Sequence, residues 1–225
     1  KDDIHYENIK GLQSGLHNLF VHVENLKIRY GLKVIVALNK FDSDKDDEIE
    51  FLKNALNEKN IELSIVESWA KGGEGAIDLA NKIVNETEKD NFADEFSKIN
   101  NEVNYLYPLR DDLKTKIEKI ATKIYRATGV EFSIDAIEKI DKIERLGYSK
   151  LPVCIAKTQF SLSDDAKNLQ DKGQYKVSIR DIELKSGAGF VVAFAGKIMT
   201  MPGLPKVPSA EKIDIDDNGN IVGIF

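Results

Sequence analysis

The sequence predicts an α/β protein in three parts: a parallel sheet covered by helices over 1–90, a helical segment over 91–150, and a smaller strand-rich α/β domain over 151–225. Three observations predict it. Strand-like and helix-like runs alternate through 1–90, the order expected of a sheet with helical cover. The run "KVIVAL" at 33–38 is evenly apolar, as a strand buried on both faces of a parallel sheet is. Beyond residue 150, helical periodicity gives way to three strand-like runs.

Residues 6–29 read as one amphipathic helix, because Leu12, Leu16, Leu19, Val23 and Leu26 recur at spacings of three and four, and Gly31 ends it. "KVIVAL" comes next as a strand. "DKDDEIEFLKNALNEKN" is a helix whose acidic first turn suits the helix dipole. "IELSIV" is the second strand, "WAKGGEG" a glycine-rich loop and "AIDLANKIVNETEK" the helix after it. Residues 91–128 read as mostly helical, with Gly129 as a stop. Ser133 is the N-cap of "IDAIEKIDKIERL", which Gly147 closes. "LPVCIAK", "YKVSIRDIEL" and "GFVVAFAG" are the three later strands. In the middle one the alternation Tyr175, Val177, Ile179 slips to Ile182 and Leu184, which predicts a bulge. "TMPGLPKVPSAEK" reads as a proline-rich loop.

Composition narrows the function. A net charge of −6 over 225 residues does not favour nucleic acid or an anionic membrane as partner. No apolar run approaches the roughly 18 residues of a membrane helix, and "KDDIHYENIK" lacks the apolar core of a signal peptide. The absence of an initiator methionine, with a helix at or near the first residue, is what a truncated chain would show. Cys154 is the only cysteine, so no intrachain disulfide forms and a reducing compartment fits; its apolar run predicts a buried, inert thiol. His5, His17 and His22 do not stack at metal-ligand spacing on one helix face. "DIDDNGNIVGIF" imitates a calcium loop but has Phe225 where the bidentate glutamate belongs, so a hairpin turning at Asn218-Gly219 is the better reading. No metal site is predicted, and no nucleophile motif is visible.

Two stretches bear on chemistry. "NKFD" at 39–42 matches the N-K-x-D pattern that reads guanine in GTPases, yet no G-x-x-x-x-G-K-[ST] phosphate loop occurs in the chain. The match is then either accidental or belongs to the back part of a larger P-loop protein. In "WAKGGEG", Gly72, Gly73 and Gly75 allow backbone amides to approach a ligand closely, at a helix start where anions are favoured. Asn39, Lys71, Gly72 and Gly73 are therefore the candidates for a nucleotide or phosphate neighbourhood. Ligands of open parallel sheets bind beyond the carboxyl ends of the strands. Phe41 and the sole tryptophan, Trp69, each come after such a strand and would share one crevice, where two rings can clamp a flat heterocycle. The plainer reading makes Phe41 a hydrophobic seal and Trp69 a half-buried residue of an ordinary strand–helix connection. "KTQFSLSDDAK" either lines a second polar site or places Ser163 as an N-cap with Asp164 and Asp165 in a first helical turn.

Several stretches together carry a resemblance. "IVALNKF", "VESWAKGGEGAIDLA", "LPVCIAKTQFSLSDD" and "GAGFVVAFAGKIMTMPGLPKVPSAEKID" resemble formate–tetrahydrofolate ligase (formyltetrahydrofolate synthetase), from "GLHNLFVHVENL" to the final "GIF". That family is considerably longer, and its P-loop lies in an N-terminal half that this chain lacks. The resemblance implies the sheet region of a P-loop NTPase-like fold, using ATP rather than GTP. It implies formation of 10-formyltetrahydrofolate, ADP and phosphate from formate, ATP and tetrahydrofolate through formyl phosphate. ATP with Mg2+ would be bound mainly by the missing half, so the catalytic residues are not identified here. Phe41 and Trp69 fall on the aromatic positions that hold the pterin, and Ile65 on an apolar position beside them. The family is cytoplasmic and typically tetrameric, which implies a homo-oligomer with small-molecule substrates. Ala166 stands where the family commonly has proline, and Lys197 where it commonly has an acid. A non-catalytic folate- or nucleotide-binding module is the alternative.

Overall fold

The computed structural model describes residues 8–88, 106–169, 174–198, 206–217, 219 and 221–223. The helical reading of 91–105, the loop at 199–205 and the turn residue Asn218 lie outside them.

Helix α1 (Ile9–Glu24) starts where the Asn8 side chain accepts the Gly11 N–H. Its stripe of Leu12, Leu16, Leu19 and Val23 packs on Leu52, Leu56 and Ile61. The single helix expected to reach residue 29 instead ends at Glu24 and passes into a π turn, Asn25–Arg29. A π turn holds more residues than an α turn, so the side chains of this turn rotate off the core face. Leu26 and Ile28 become exposed and Asn25 is buried in their place. Gly31, at φ +66°, ends the segment in a conformation that favours glycine.

Strands β1 (Ile35–Asn39) and β2 (Glu62–Val66) pair in parallel, from Ile35 opposite Glu62 to Asn39 opposite Val66. Helix α2 (Asp46–Asn57) joins them, and its acidic first turn is Asp46, Asp47 and Glu48. β1 is not buried on both faces as its apolar run predicts. Ile35, Val36 and Leu38 are half-buried and Ala37 is exposed, because the sheet has two strands among the described residues. The "WAKGGEG" loop is helical: α3 (Ser68–Lys71) runs through a 3₁₀ turn, Gly72–Ala76, into α4 (Ile77–Glu88). α4 is tied to β2 by polar bonds. Ser64 Oγ donates to Asp78 at 2.6 Å, and Lys82 Nζ donates to Asp78 at 2.8 Å and to the Leu63 carbonyl at 2.6 Å.

The second core belongs to a four-stranded mixed sheet. Its strands are β3 (Gly129–Phe132), β4 (Val153–Ala156), β5 (Lys176–Lys185) and β6 (Phe190–Ala195), in the spatial order β3-β5-β6-β4. β3 runs parallel to β5 and β4 parallel to β6, while β5 and β6 are antiparallel. Helices α5 (Leu113–Lys123) and α6 (Ile134–Arg145) pack on this sheet, so helices read in 91–150 and strands read in 151–225 share one core, including Leu113, Ile117, Ile140, Val177, Ile182 and Val191. Ser133 caps α6 by accepting the Ala136 N–H. The register shift on β5 lies between Ile179 and Asp181, where the alternation slips. Gly129 does not stop a helix; α5 has ended at Lys123 and Gly129 opens β3. Cys154 is exposed, not buried. It alternates with buried Val153 along β4, so an apolar run did not mean two covered faces. β7 (Asp214–Ile215) and β8 (Ile221–Val222) form the expected hairpin, with Gly219 at φ +81°.

Among the described residues, contacts that join the two cores include Asn25 Nδ2 to the Ile124 carbonyl at 2.9 Å, Asn18 Nδ2 to the Leu169 carbonyl at 2.7 Å, and the Glu24–Arg126 ion pair. Among the described residues no helix is long and apolar enough to cross a membrane.

Candidate functional site

The carboxyl ends of β1 and β2 carry the site. The last rung of the pair is Asn39 opposite Val66, and the ladder continues one bond further, from Lys40 N–H to the Val66 carbonyl at 2.9 Å. Phe41 leaves the end of β1, and Trp69 stands in α3 directly after β2. Their ring centroids lie 6.0 Å apart with the planes tilted by 31°. Phe41 is 53% and Trp69 61% exposed. Neither ring belongs to either buried core cluster of this chain, and the two lie beside one another. Ile65, in register with Leu38 on the neighbouring strand, is 37% exposed at the same end of the sheet.

Each ring is held from its own side. The Phe41 N–H donates to Asp44 Oδ2 at 2.8 Å, and the Asp44 N–H returns a bond to the Phe41 carbonyl at 3.0 Å. The Trp69 indole N–H donates to the Lys40 carbonyl at 3.1 Å. α3 is closed at its base by the Glu67 N–H, which donates to the Gly75 carbonyl at 3.0 Å. A side chain at Gly75 would place its Cβ 2.5 Å from the Glu67 carbonyl carbon. Gly72 sits at φ +60° and ψ −140° at the end of α3, a backbone state left almost wholly to glycine. Asp44 is a site residue that sequence reasoning did not single out, and Gly75, read there only as one glycine of the loop, proves to be the one that packs on Glu67. A signal existed for each: an Asp three residues past Phe41, where a side chain closes a tight turn, and the third glycine of a run that already suggests close approach.

The polar candidates are distributed unevenly. Asn39 is exposed at the strand end, and Gly72 and Gly73 are exposed in the 3₁₀ turn. Lys71 is already committed, with its Nζ 2.6 Å from Glu67 Oε2. The Lys71 hydrogen bond holds the Glu67 carboxyl below the usual carboxylate range, with the charges of Lys71 and Lys40 acting the same way. Lys40 Nζ also lies 3.8 Å from Asp46. Among the described residues no group of three His, Cys, Asp or Glu side chains is placed to hold a metal ion.

The "KTQFSLSDDAK" segment neither caps a helix nor presents its carboxylates as a cluster. Lys157 Nζ donates to the carbonyls of Thr158, Ser161 and Ser163, and the buried Ser161 and Ser163 hydroxyls lie 3.1 Å apart and bond the Asp165 carbonyl. Asp165 closes its own turn by accepting the Lys167 N–H. No helix starts at Ser163, because its hydroxyl is spent inside this loop. Between the loop and α1 lies a hollow of about 500 Å³ lined by His22, Asn18, Tyr125 and Phe160 among others. Burial pushes the His22 imidazole below its ordinary value, and the Lys157 charge adds to that.

The family model described as formate–tetrahydrofolate ligase matches residues 1–225. The formate–tetrahydrofolate ligase of Petrotoga mobilis (strain DSM 10674 / SJ95) is 47% identical over 222 residues, which are 99% of this chain and 38% of that protein. The formate–tetrahydrofolate ligase of Campylobacter curvus (strain 525.92) is 46% identical over 225 residues, 100% of this chain and 39% of that protein. The chain thus spans less than half the length of the curated relatives it matches.

Proposed function

The chain belongs to the formate–tetrahydrofolate ligase family, and from that premise we propose that it carries the part of such a ligase that receives the pterin ring of tetrahydrofolate. Phe41 and Trp69 are the two ring walls, and Ile65 adds apolar surface beside them. The observation that carries this reading is the ring pair itself, two exposed aromatics 6.0 Å apart beyond the ends of parallel strands. Large apolar rings left in water at the ligand-binding end of a sheet are explained by a flat partner better than by the fold. Asn39, Gly72 and Gly73 form the polar rim.

For the full-length protein, we assign the joining of formate to tetrahydrofolate at the expense of ATP. Formate is a poor acyl donor because its oxygen leaves badly; as formyl phosphate it has a good leaving group, and the folate amine attacks the activated carbonyl. This chain's part is to hold and orient the folate so that the amine meets the acyl carbon, an entropic contribution to rate. No phosphoryl-transfer step is assigned to it. The sequence lacks a P-loop, Lys71 is spent on Glu67, and no metal-ligand cluster occurs among the described residues. ATP and its Mg2+ are assigned to the rest of the protein, where a P-loop would continue the parallel sheet begun by β1 and β2. We further assign that protein to the cytoplasm as a homo-oligomer.

Calorimetric titration of the chain with tetrahydrofolate tests the pterin site. Loss of one stacking wall is worth about 1–3 kcal/mol, so Trp69→Ala should weaken binding about ten- to a hundredfold. Its melting temperature should stay close to that of the parent, since Trp69 is mostly exposed. Unchanged affinity in Trp69→Ala, or a collapse of its melt, would overturn the assignment.

A further inference from the structure

Building on the pterin reading above, we propose that Asp44 and Gly75 are the positioning residues of the aromatic pair, and that the indole–Lys40 hydrogen bond they support holds the pair closed until a planar ring enters. The distances set the problem. A flat ring needs about 3.5 Å of contact on each face, hence about 7 Å between flanking planes. The ring centroids stand 6.0 Å apart and the planes are tilted by 31°, the spacing of two rings that touch each other, so a flat ring enters between them only if the walls part and the tilt flattens.

The two walls are held differently. Phe41 is the fixed wall. It sits beside the last bond of the β ladder, from Lys40 N–H to the Val66 carbonyl, and Asp44 bonds it through both its N–H and its carbonyl. Trp69 is the movable wall. It rides on α3, four residues long, and its indole N–H is anchored on the Lys40 carbonyl at 3.1 Å. That bond crosses from one wall's strand to the other, so lengthening it is the simplest way to part the rings. Gly75 decides whether the bond forms at all. Its missing side chain lets the 3₁₀ turn lie against Glu67, with a hypothetical Cβ 2.5 Å from Glu67 C, 2.6 Å from Glu67 O and 2.7 Å from Ser68 N. All three are backbone atoms, so an added methyl would have to push α3, and Trp69 with it, away from β1.

Trp69 is the only tryptophan of the 225-residue chain, so its indole N–H gives one identifiable ¹H–¹⁵N resonance. In the unsubstituted chain that proton should exchange with solvent slowly, and its ring protons should carry the upfield shift of the neighbouring Phe41. Gly75→Ala should shift the N–H resonance to that of a free indole and speed its exchange about tenfold, the equivalent of about 1.4 kcal/mol. Asp44→Ala should abolish the Phe41-induced shift, and Asp44→Asn, which keeps an acceptor for the Phe41 N–H, should restore it. Added tetrahydrofolate should move the N–H resonance of the unsubstituted chain in the same direction as Gly75→Ala does. If Gly75→Ala fails to fold, the Asp44 pair and the titration decide. The proposal is overturned by a folded Gly75→Ala with an unchanged indole signal, by an Asp44→Ala that keeps the ring shift, or by a complex in which the N–H stays protected. If the variants behave as expected but tetrahydrofolate does not bind, the positioning roles stand and the pterin reading falls.

Discussion

Lys116 shows how far a single residue can depart from its type. It is completely buried on α5, and its Nζ donates to the carbonyls of Ser149 at 2.5 Å and Leu151 at 3.0 Å while standing 5.9 Å from the centre of the Tyr107 ring. The amine therefore closes the bend after α6, a place where backbone carbonyls would otherwise be hidden from water. Burial pushes its pKa below the ordinary lysine value, against the opposing charges of Asp111, Glu144 and Asp112. Lys116→Met keeps the apolar stem and strands the two acceptors, so it should lower stability by about 1–3 kcal/mol in chemical denaturation at neutral pH. A depressed lysine pKa means that the unfolded chain binds the proton more tightly. The parent should then gain stability as pH rises from the folded pKa to the ordinary lysine value, and Lys116→Met should lack that gain. A variant as stable as the parent would mean that water reaches the bend.

At the scale of elements, the bulge on β5 is tied to α6. Asp181 lies at the register shift, accepts the Ile182 N–H at 2.7 Å and pairs with Lys139 of α6 at 2.5 Å. Ser133, at the start of the same helix, donates to the Arg180 carbonyl at 2.8 Å. The Lys139 bond holds the Asp181 carboxyl below the usual range, and the Asp181 bond raises Lys139. A lowered carboxylate contributes stability above its unfolded pKa and loses it as pH falls through the folded one; a raised lysine contributes below its unfolded pKa and loses it as pH rises through the folded one. The pair is partly exposed, so it is worth at most about 1 kcal/mol. Asp181→Asn should trail the parent by about that much at neutral pH. The gap should close as pH falls below about 4, where an ordinary carboxylate protonates. Urea titrations between neutral and acid pH would reveal a gap that failed to close.

For the molecule as a whole, the junction of the two cores includes a buried polar residue, Asn25. Its side chain reaches the Ile124 carbonyl at the end of α5, and Glu24 beside it pairs with Arg126 on the surface. Asn25→Ala leaves that carbonyl without its donor and should cost about 1–2 kcal/mol, or about 2–8 °C in melting temperature for a chain of this size. Glu24→Ala should cost less than about 1 kcal/mol, as exposed ion pairs do. Equal losses from both would place the junction's strength in charge rather than in the buried bond. Activity is also a property of the whole. The 225 residues contain no P-loop, so the purified chain given ATP, formate and tetrahydrofolate should release no ADP. Formate-dependent release by this chain alone would sink the division of labour proposed above.

The α/β class, the parallel β1–β2 pair, the Ser133 cap, the β5 bulge and the nearness of Phe41 to Trp69 were all legible in the sequence. Each arises from periodicity, local hydrogen-bonding chemistry or position relative to a strand end, which neighbouring residues determine by themselves. The resemblance carried by "IVALNKF" and "VESWAKGGEGAIDLA" reached the family for the same reason: the motifs are contiguous. Tertiary structure alone decided the exposure of Cys154, the half-open faces of β1, the burial of Lys116 and the place of Gly129 in a strand. These depend on which distant element covers which face, and an apolar run reads alike whether one face is covered or two. The same limit applied at the ring pair. The sequence placed both aromatics beyond their strands, but the 6.0 Å separation of the ring centres, the indole bond to the Lys40 carbonyl and the Gly75–Glu67 contact arise from separate segments meeting in space. Side-chain identity does not encode those distances; the packing of α3 against the end of the sheet does.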